Sequence, residues 1–375
     1  MKHLIKKITA AALLVAVLFT SVNISAYAKT AETAETAETN SQTAEGEGTS
    51  AEATSGGAIA VTPAAITVKK TSIKSVIPGK TSVRLKLTSS GKGKITGFQV
   101  YKKNSDSDWV LKTQIRKSKA TYEDTKVSYG NSYSYRARAY YVDEDGNTHY
   151  GAYSKTVTVK VTIHREKIKV KDKKSILYGK TIILYKYGDG KVVTDPTKYV
   201  KIKPDKYVLY VNKSKDYVTA YAVSGKNLIP VKSFICSTGA VTPVGRHKTL
   251  IKYRWHELLG PSWGQWCTKV TNNGIYFHSI FSSKRNSNST MSVRAYNKLG
   301  TTCSHGCIRV QAASAKWIYD NCKLGTSVVI YTKNGYEPFR KPSIKKIPSW
   351  HTWDPTDPTA QKLCKKHKCH KYAKK

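Results

Sequence analysis

The stretch Ser304-His305-Gly306-Cys307-Ile308-Arg309 gathers the side chains best suited to chemistry. A cysteine becomes a strong nucleophile as a thiolate, which needs an imidazole, a cation or a helix start close by. Cys307 follows a glycine, has His305 two residues before it and Arg309 two after, and lies just ahead of a predicted helix. Gly306 lets the backbone bend so that consecutive amides can aim at one point, as stabilisation of an oxyanion requires. Arg309 offers a planar fork that fits a carboxylate. On residue chemistry alone the bland alternative stands beside this reading: a buried inert thiol, or one half of a disulfide.

Three upstream stretches add to it. Residues 237–245, Ser-Thr-Gly-Ala-Val-Thr-Pro-Val-Gly, leave a predicted strand. Residues 274–279, Gly-Ile-Tyr-Phe-His-Ser, end another, and residues 297–301, Asn-Lys-Leu-Gly-Thr, lead into the cysteine stretch. In that order, with Ser-His-Gly-Cys-Ile-Arg, they resemble the L,D-transpeptidase catalytic domain, also called the YkuD domain, over residues 206–333. The resemblance implies that Cys307 is the nucleophile and His278 the base that takes its proton. It implies that the backbone carbonyl of Ser279 orients the imidazole and that the Gly306 and Cys307 amides form the oxyanion hole. Ser304, His305 and Arg309 match positions that shape the substrate pocket, with Arg309 near a substrate carboxylate. Residues 237–245 are expected to be a structural turn. The implied reaction is attack on the bond before the terminal D-alanine of a tetrapeptide stem, release of D-alanine, and transfer of the thioester to the side-chain amine of a neighbouring stem, giving a 3-3 cross-link. With water as acceptor the same site is an L,D-carboxypeptidase. A non-catalytic wall-binding protein is the third reading.

The sequence departs from the family pattern in one place. The gap between His278 and Ser304 is 25 residues, longer than usual, and contains a polar stretch at 283–290 that reads as an inserted loop near the site. That gap keeps His305 open as the base. His247 and His256 read as surface or packing histidines.

The elements that must position these groups are mainly strands. Residues 206–236 contain three runs rich in Val, Ile, Tyr and Phe around polar turns, and residues 328–331 form a buried closing strand. A short amphipathic helix is expected at 314–321, with Ala315, Trp317 and Ile318 on its apolar face. The fold expected here is a mixed β-sheet with short helices.

Ahead of it, residues 65–163 show short alternating strands such as 83–87 and 133–140, separated by Gly- and Asp-bearing turns. This pattern suggests a β-sandwich. The run 95–101, Trp109, Gly130, 133–140 and 151–154 resembles a fibronectin type III domain, whose Trp109 and tyrosines are expected in the core. Residues 164–205 are a basic connecting segment, and 334–375 a basic C-terminal tail.

The chain begins with Lys2, Lys6 and Lys7, an apolar run at 8–20, and Ala26-Tyr27-Ala28. That is the layout of a secretory signal peptide over residues 1–28. Residues 29–64, with an Ala-Glu-Thr repeat and almost no large apolar side chain, are expected to be a disordered linker. Secretion and association with the cell wall follow as expectations, with no membrane attachment after cleavage. The formal net charge is +40, and the six glutamates of the linker leave the positive charge concentrated beyond it. Such a field attracts polyanions. For an exported chain these are anionic wall polymers and peptidoglycan stem peptides, rather than nucleic acid.

Of the seven cysteines, at least one must be unpaired if the rest form disulfides. Cys303 is expected to bond to Cys267 or Cys322, or to form a redox pair with Cys307; in anaerobic surroundings all seven stay reduced. Cys364 and Cys369 lie near His367 and His370. A local disulfide or a disordered tail is preferred there to a zinc site, so no metal or cofactor is expected. No phosphate loop, dinucleotide fingerprint or HExxH occurs.

Overall fold

The computed structural model describes residues 66–369. The expected signal peptide, residues 1–28, and the expected linker, residues 29–64, lie outside the described residues. The described part is mainly β. Its first strands are β1 (Lys70–Pro78), β2 (Val83–Ser90), β3 (Gly97–Asn104), β4 (Val110–Arg116), β5 (Thr121–Asp124), β6 (Ser132–Val142), β7 (Thr148–Tyr150) and β8 (Val157–Lys160). They form two antiparallel sheets. One has the order β1-β2-β5; the other runs β4-β3-β6-β7, with β8 also on β6. Alternation decides which residues face inward. Val83, Leu85 and Leu87 of β2 meet Phe98 and Val100 of β3 and Tyr133, Tyr135 and Ala137 of β6 in one apolar cluster. Trp109 is not in that cluster. Instead, the Arg136 guanidinium lies 4.4 Å from its ring centroid. A buried ion pair crosses the cluster, with Lys102 Nζ 2.7 Å from Asp124. The Tyr135 hydroxyl donates to the same carboxylate at 2.8 Å. Burial pushes the Asp124 carboxyl up, but the hydrogen bonds from Lys102, the Lys126 amide and Tyr135 outweigh it and hold it below its ordinary value.

The remaining strands are β9 (Ile163–Lys169), β10 (Thr181–Tyr187), β11 (Lys206–Asn212), β12 (Tyr217–Ser224), β13 (Asn227–Ser237), β14 (Gly245–Lys248), β15 (Lys252–Glu257), β16 (Trp263–Lys269), β17 (Tyr276–Ser279), β18 (Ile308–Val310) and β19 (Ser327–Tyr331). Three short helices accompany them: α1 (Val293–Asn297), α2 (Ala312–Asn321) and α3 (Gln361–Lys366). All eleven strands belong to one sheet, whose main path is β14-β19-β11-β12-β13-β18-β17-β16-β15. The connecting segment contributes β9 and β10 to it, through β10 on β13.

Strands β14 and β15 occupy opposite ends of that path, yet only residues 249–251 separate them in the chain. Three residues span at most ~10 Å, so the sheet must curl until its ends meet. The Leu250 amide and the Ile251 carbonyl close the turn onto Lys269 of β16. Inside the curl, Leu209, Val211 and Val231 pack with Phe277, Ile308 and Val310, and with Ala312, Ala315 and Ile318 of α2. Helix α2 begins two residues before the span expected from the sequence, and Trp317 packs against this core partly buried.

The C-terminal segment departs from the expectation of a disordered tail. Through residue 369 it is packed: Ile347 joins a cluster with Ile280, Met291 and Tyr296, and Trp353, Ala360, Cys364 and Cys369 form a core of their own. Buried polar anchors explain why a basic segment packs so closely. Asp354 Oδ2 accepts from the Ala312 amide at 2.7 Å, and Asp357 Oδ2 accepts from Gln265 Nε2 at 2.9 Å. No disulfide forms: all seven cysteines are free, five of them buried. The expected partners of Cys303 are inside strand and helix packing, Cys267 on β16 and Cys322 at the end of α2. No helix among the described residues is long and apolar enough to cross a membrane.

Candidate active site

The parallel pairing of β17 with β18 builds the site. Phe277 sits opposite Ile308, and His278 opposite Arg309. Phe277, Ile308 and Val310 are fully buried in the core. Side chains alternate along a strand, so His278 and Arg309 face the other way, and Cys307 precedes Arg309 by two positions. There they line a cavity of about 1170 Å³. His247, Val241 and Pro243 form another part of its wall, residues 257–262 between β15 and β16 and 270–276 between β16 and β17 form a third, and Leu250, Phe281, Ser283 and His305 complete it. Leu259, on the first hairpin, is 77% exposed.

His278 is buried, and its Nδ1 lies 2.5 Å from the Ser279 carbonyl. A carbonyl only accepts, so Nδ1 carries the proton and Nε2 presents a lone pair. Burial, aided by the Arg309 charge, pulls the imidazole down to about 4 against the Ser279 hydrogen bond. Burial also raises the Cys307 thiol, opposed by a hydrogen bond from the Tyr276 amide and by the Arg309 charge. The thiol donates to the Gly274 carbonyl at 3.6 Å. The resting site thus holds a neutral thiol and a neutral imidazole, where sequence reasoning expected an ionised sulfur. The reason is desolvation, which disfavours both charged forms.

His305 is exposed and lines the same cavity, but no backbone carbonyl fixes its ring as Ser279 fixes His278. Arg309 is half-buried there. Its guanidinium lies 5.1 Å from the Phe281 ring centroid and donates to the Cys303 carbonyl at 3.4 Å. Ser279 is buried, and its hydroxyl accepts from the Gln265 amide at 3.0 Å.

Ser304 departs from the pocket-lining position expected of it. Its hydroxyl donates to the Cys307 carbonyl at 2.6 Å and accepts from the Gly306 amide at 3.1 Å. It therefore braces the turn that carries Cys307, because both of its hydrogen-bonding functions are used inside that turn. The same contact occupies the Gly306 amide, one of the two expected oxyanion donors. Gly306 itself has φ +137, and a Cβ there would stand 2.8 Å from Ile275, so only glycine fits without strain.

The turn at 237–245 clamps the nucleophile loop. The Thr238 carbonyl accepts from the Cys303 and Ser304 amides, at 2.9 and 3.0 Å. Gly239 comes so close that a Cβ would lie 2.3 Å from the Ser304 carbonyl oxygen. Thr242 Oγ1 donates to the Gly306 carbonyl at 2.6 Å and accepts from the Gly239 amide at 2.8 Å. Asp216 completes the clamp: Oδ1 accepts from Thr238 and Oδ2 from Thr302 Oγ1, each through short bonds. Its φ of +52 places it in the left-handed region, a local strain that this network offsets.

The family comparison covers the same part of the chain. Residues 206–330 match the model of the L,D-transpeptidase catalytic domain, YkuD. The chain carries a YkuD-type L,D-transpeptidase catalytic domain. YciB of Bacillus subtilis (strain 168), which bears the name of an L,D-transpeptidase, is 41% identical over 65 residues, 17% of this chain. The chain spans about a third of the length of that curated relative, 32%. Among solved structures, L,D-transpeptidase 1 of Mycobacterium tuberculosis is 19% identical, with TM-score 0.26, over 33% of this chain and 61% of that one. A fused Zn-dependent amidase/peptidase/peptidoglycan-binding protein of Clostridium acetobutylicum ATCC 824 is 26% identical, with TM-score 0.26, over 34% of this chain and 52% of that one.

Within the YkuD domain, sequence reasoning missed three contributors. Asp216 lies in a polar turn between two of the predicted strands, and Thr242 in the expected structural turn, with nothing in either to mark a contact to the nucleophile loop. His247, read as a surface or packing residue, lines the cavity. Spacing carries no signal for such contacts, which form between strands distant in the chain.

Proposed function

We propose that this protein is a peptidoglycan L,D-transpeptidase with Cys307 as nucleophile and His278 as base. The reading rests on one observation above the rest: Cys307 and the carbonyl-oriented His278 share one cavity with Arg309. Nε2 of His278 takes the thiol proton as sulfur attacks the carbonyl before the terminal D-alanine of a tetrapeptide stem. The Tyr276 amide and the Arg309 guanidinium favour the sulfur anion as it forms. The oxyanion falls to the Cys307 amide, joined by the Gly306 amide if that donor leaves Ser304. His278 then protonates the departing D-alanine amine. The thioester is resolved by the side-chain amine of a neighbouring stem. His305, at the mouth of the cavity, and Arg309, with its fork, contact the stem peptide. Residues 65–163 act as a fibronectin type III-like spacer, and the chain is exported to the wall after cleavage of residues 1–28.

Cys307→Ala tests the reading. The variant is expected to keep the wild-type melting temperature, to release no D-alanine from tetrapeptide stems and to form no thioester with a carbapenem, an inhibitor class this family is expected to trap. Persisting D-alanine release would end the claim. Supplying donor stems with and without an acceptor amine separates the two fates: cross-linked product supports transpeptidation, and tripeptide alone supports L,D-carboxypeptidase activity.

A further inference from the structure

A second set of reactive side chains lies in the C-terminal segment, and the transpeptidase reading leaves it unused. His351, Cys364 and Cys369 are all buried, and their ligand atoms lie within 4.8 Å of one another. Cys364 sits on α3, and the chain then folds back: the Cys369 amide donates to the Cys364 carbonyl at 3.1 Å, past Lys368 at φ +50. His351 Nδ1 lies 3.0 Å from the Trp353 carbonyl. That carbonyl fixes the proton on Nδ1, so the Nε2 lone pair is the one offered to the cluster, and a carbonyl behind a histidine is the usual outer partner of a metal ligand. Trp353 Nε1 donates to Cys364 Sγ at 3.1 Å, a contact that favours a sulfur carrying negative charge. The Trp353 ring stacks on His351 at 3.9 Å between centroids, and His367 lies over the same indole at 5.0 Å.

We propose that His351, Cys364 and Cys369 hold a structural zinc ion. Two sulfurs and an imidazole are a borderline-soft donor set suited to Zn²⁺, and oxygen-seeking cations do not choose it. On binding, each thiol gives its proton to solvent and its sulfur to the metal. The fourth tetrahedral position goes to water or a further donor. The proposed site runs against the expectation of no metal and would give the C-terminal segment a task. Asp354 and Thr356, three and five residues after His351, accept hydrogen bonds from the first two amides of α2, the helix that follows the nucleophile strand. Zinc at His351 pins the end of the strap that caps this helix. A disulfide between Cys364 and Cys369 is the rival use of the same sulfurs, and it leaves the imidazole out.

The test uses the chain from residue 29 onward, purified under reducing conditions with Zn²⁺ and then freed of loose metal. Elemental analysis should find about one zinc per chain. Cobalt put in its place should give thiolate charge-transfer absorption. Removing the metal with a chelator should lower the melting temperature of the wild type, and Cys364→Ser with Cys369→Ser should abolish zinc retention. Zinc well below one per chain in the wild type overturns the proposal, whatever the variant does. So does an isolated chain two hydrogens lighter, with its Cys364 and Cys369 peptides joined. Neither readout depends on transpeptidase activity, so the site and the proposed function can fail separately.

Discussion

His278 and Cys307 face one cleft as a neutral pair, and the pH behaviour of the enzyme should follow from that. Burial holds the imidazole at about 4, well under the ordinary value of about 6.5. Above that pH it is a free base, and below it a proton occupies the atom that must accept one. The rate constant kcat/KM for D-alanine release should therefore stay level from neutral pH downward and fall only as the pH drops through about 4. A stopped assay across that range checks it, and an inflection near the ordinary imidazole value would mean that His278 is solvated or is not the base. Raising the pH ionises more of the thiol, so no alkaline loss is expected from Cys307 itself.

Hairpins and paired strands fix how closely the two groups can meet. Gly264 on β16 lies against the ring: a Cβ there would stand 3.1 Å from His278 Nδ1 and 2.9 Å from Cys267 Sγ. Both neighbours are packed inside the domain and have little room to give. Gly264→Ala should therefore tilt the imidazole and lower kcat by roughly 10²-fold, since displacements of about 1 Å carry that cost. KM should change less, because the cavity wall that holds the stem stays in place. Steady-state kinetics against a tetrapeptide donor reads both constants; an unchanged kcat would show that the ring can shift without loss. The clamp at 237–245 works at the same scale, holding the loop of residues 302–306 through Thr238, Thr242 and Asp216.

At the scale of the whole molecule, charge sets what the proposed enzyme would adsorb to. The chain carries a formal net charge of +40, and its positive residues are concentrated beyond the Glu-rich stretch of residues 29–64, so the folded part presents a strong positive field. Adsorption to an anionic wall polymer should be tight at low salt and fall steeply as salt rises, because the screening length shrinks from about 10 Å at 0.1 M to about 3 Å at 1 M. Co-sedimentation with polymer-bearing walls across that range measures it. Retention that ignores salt would mean recognition by shape, with the two-sheet unit of residues 70–160 as the natural place to look. That unit carries Arg136 and Arg138 over the rings of Tyr101 and Tyr150 on one sheet and of Tyr153 beside it.

Much of this was legible in the sequence alone. The order of glycine turn, strand-end histidine and Ser-His-Gly-Cys-Ile-Arg carried the resemblance to the L,D-transpeptidase catalytic domain, and residues 206–330 match that family's model. Period-two alternation marked the strands, since it follows from the pleat. Only the tertiary structure decided that Ser304 braces its own turn, that His247 lines the cleft, and that burial leaves the sulfur protonated at rest. It alone curled the sheet until β14 and β15 met, and it alone brought His351 to Cys364 and Cys369. These outcomes depend on which groups lose water and which strands come together across long stretches of chain, and local sequence spacing encodes neither.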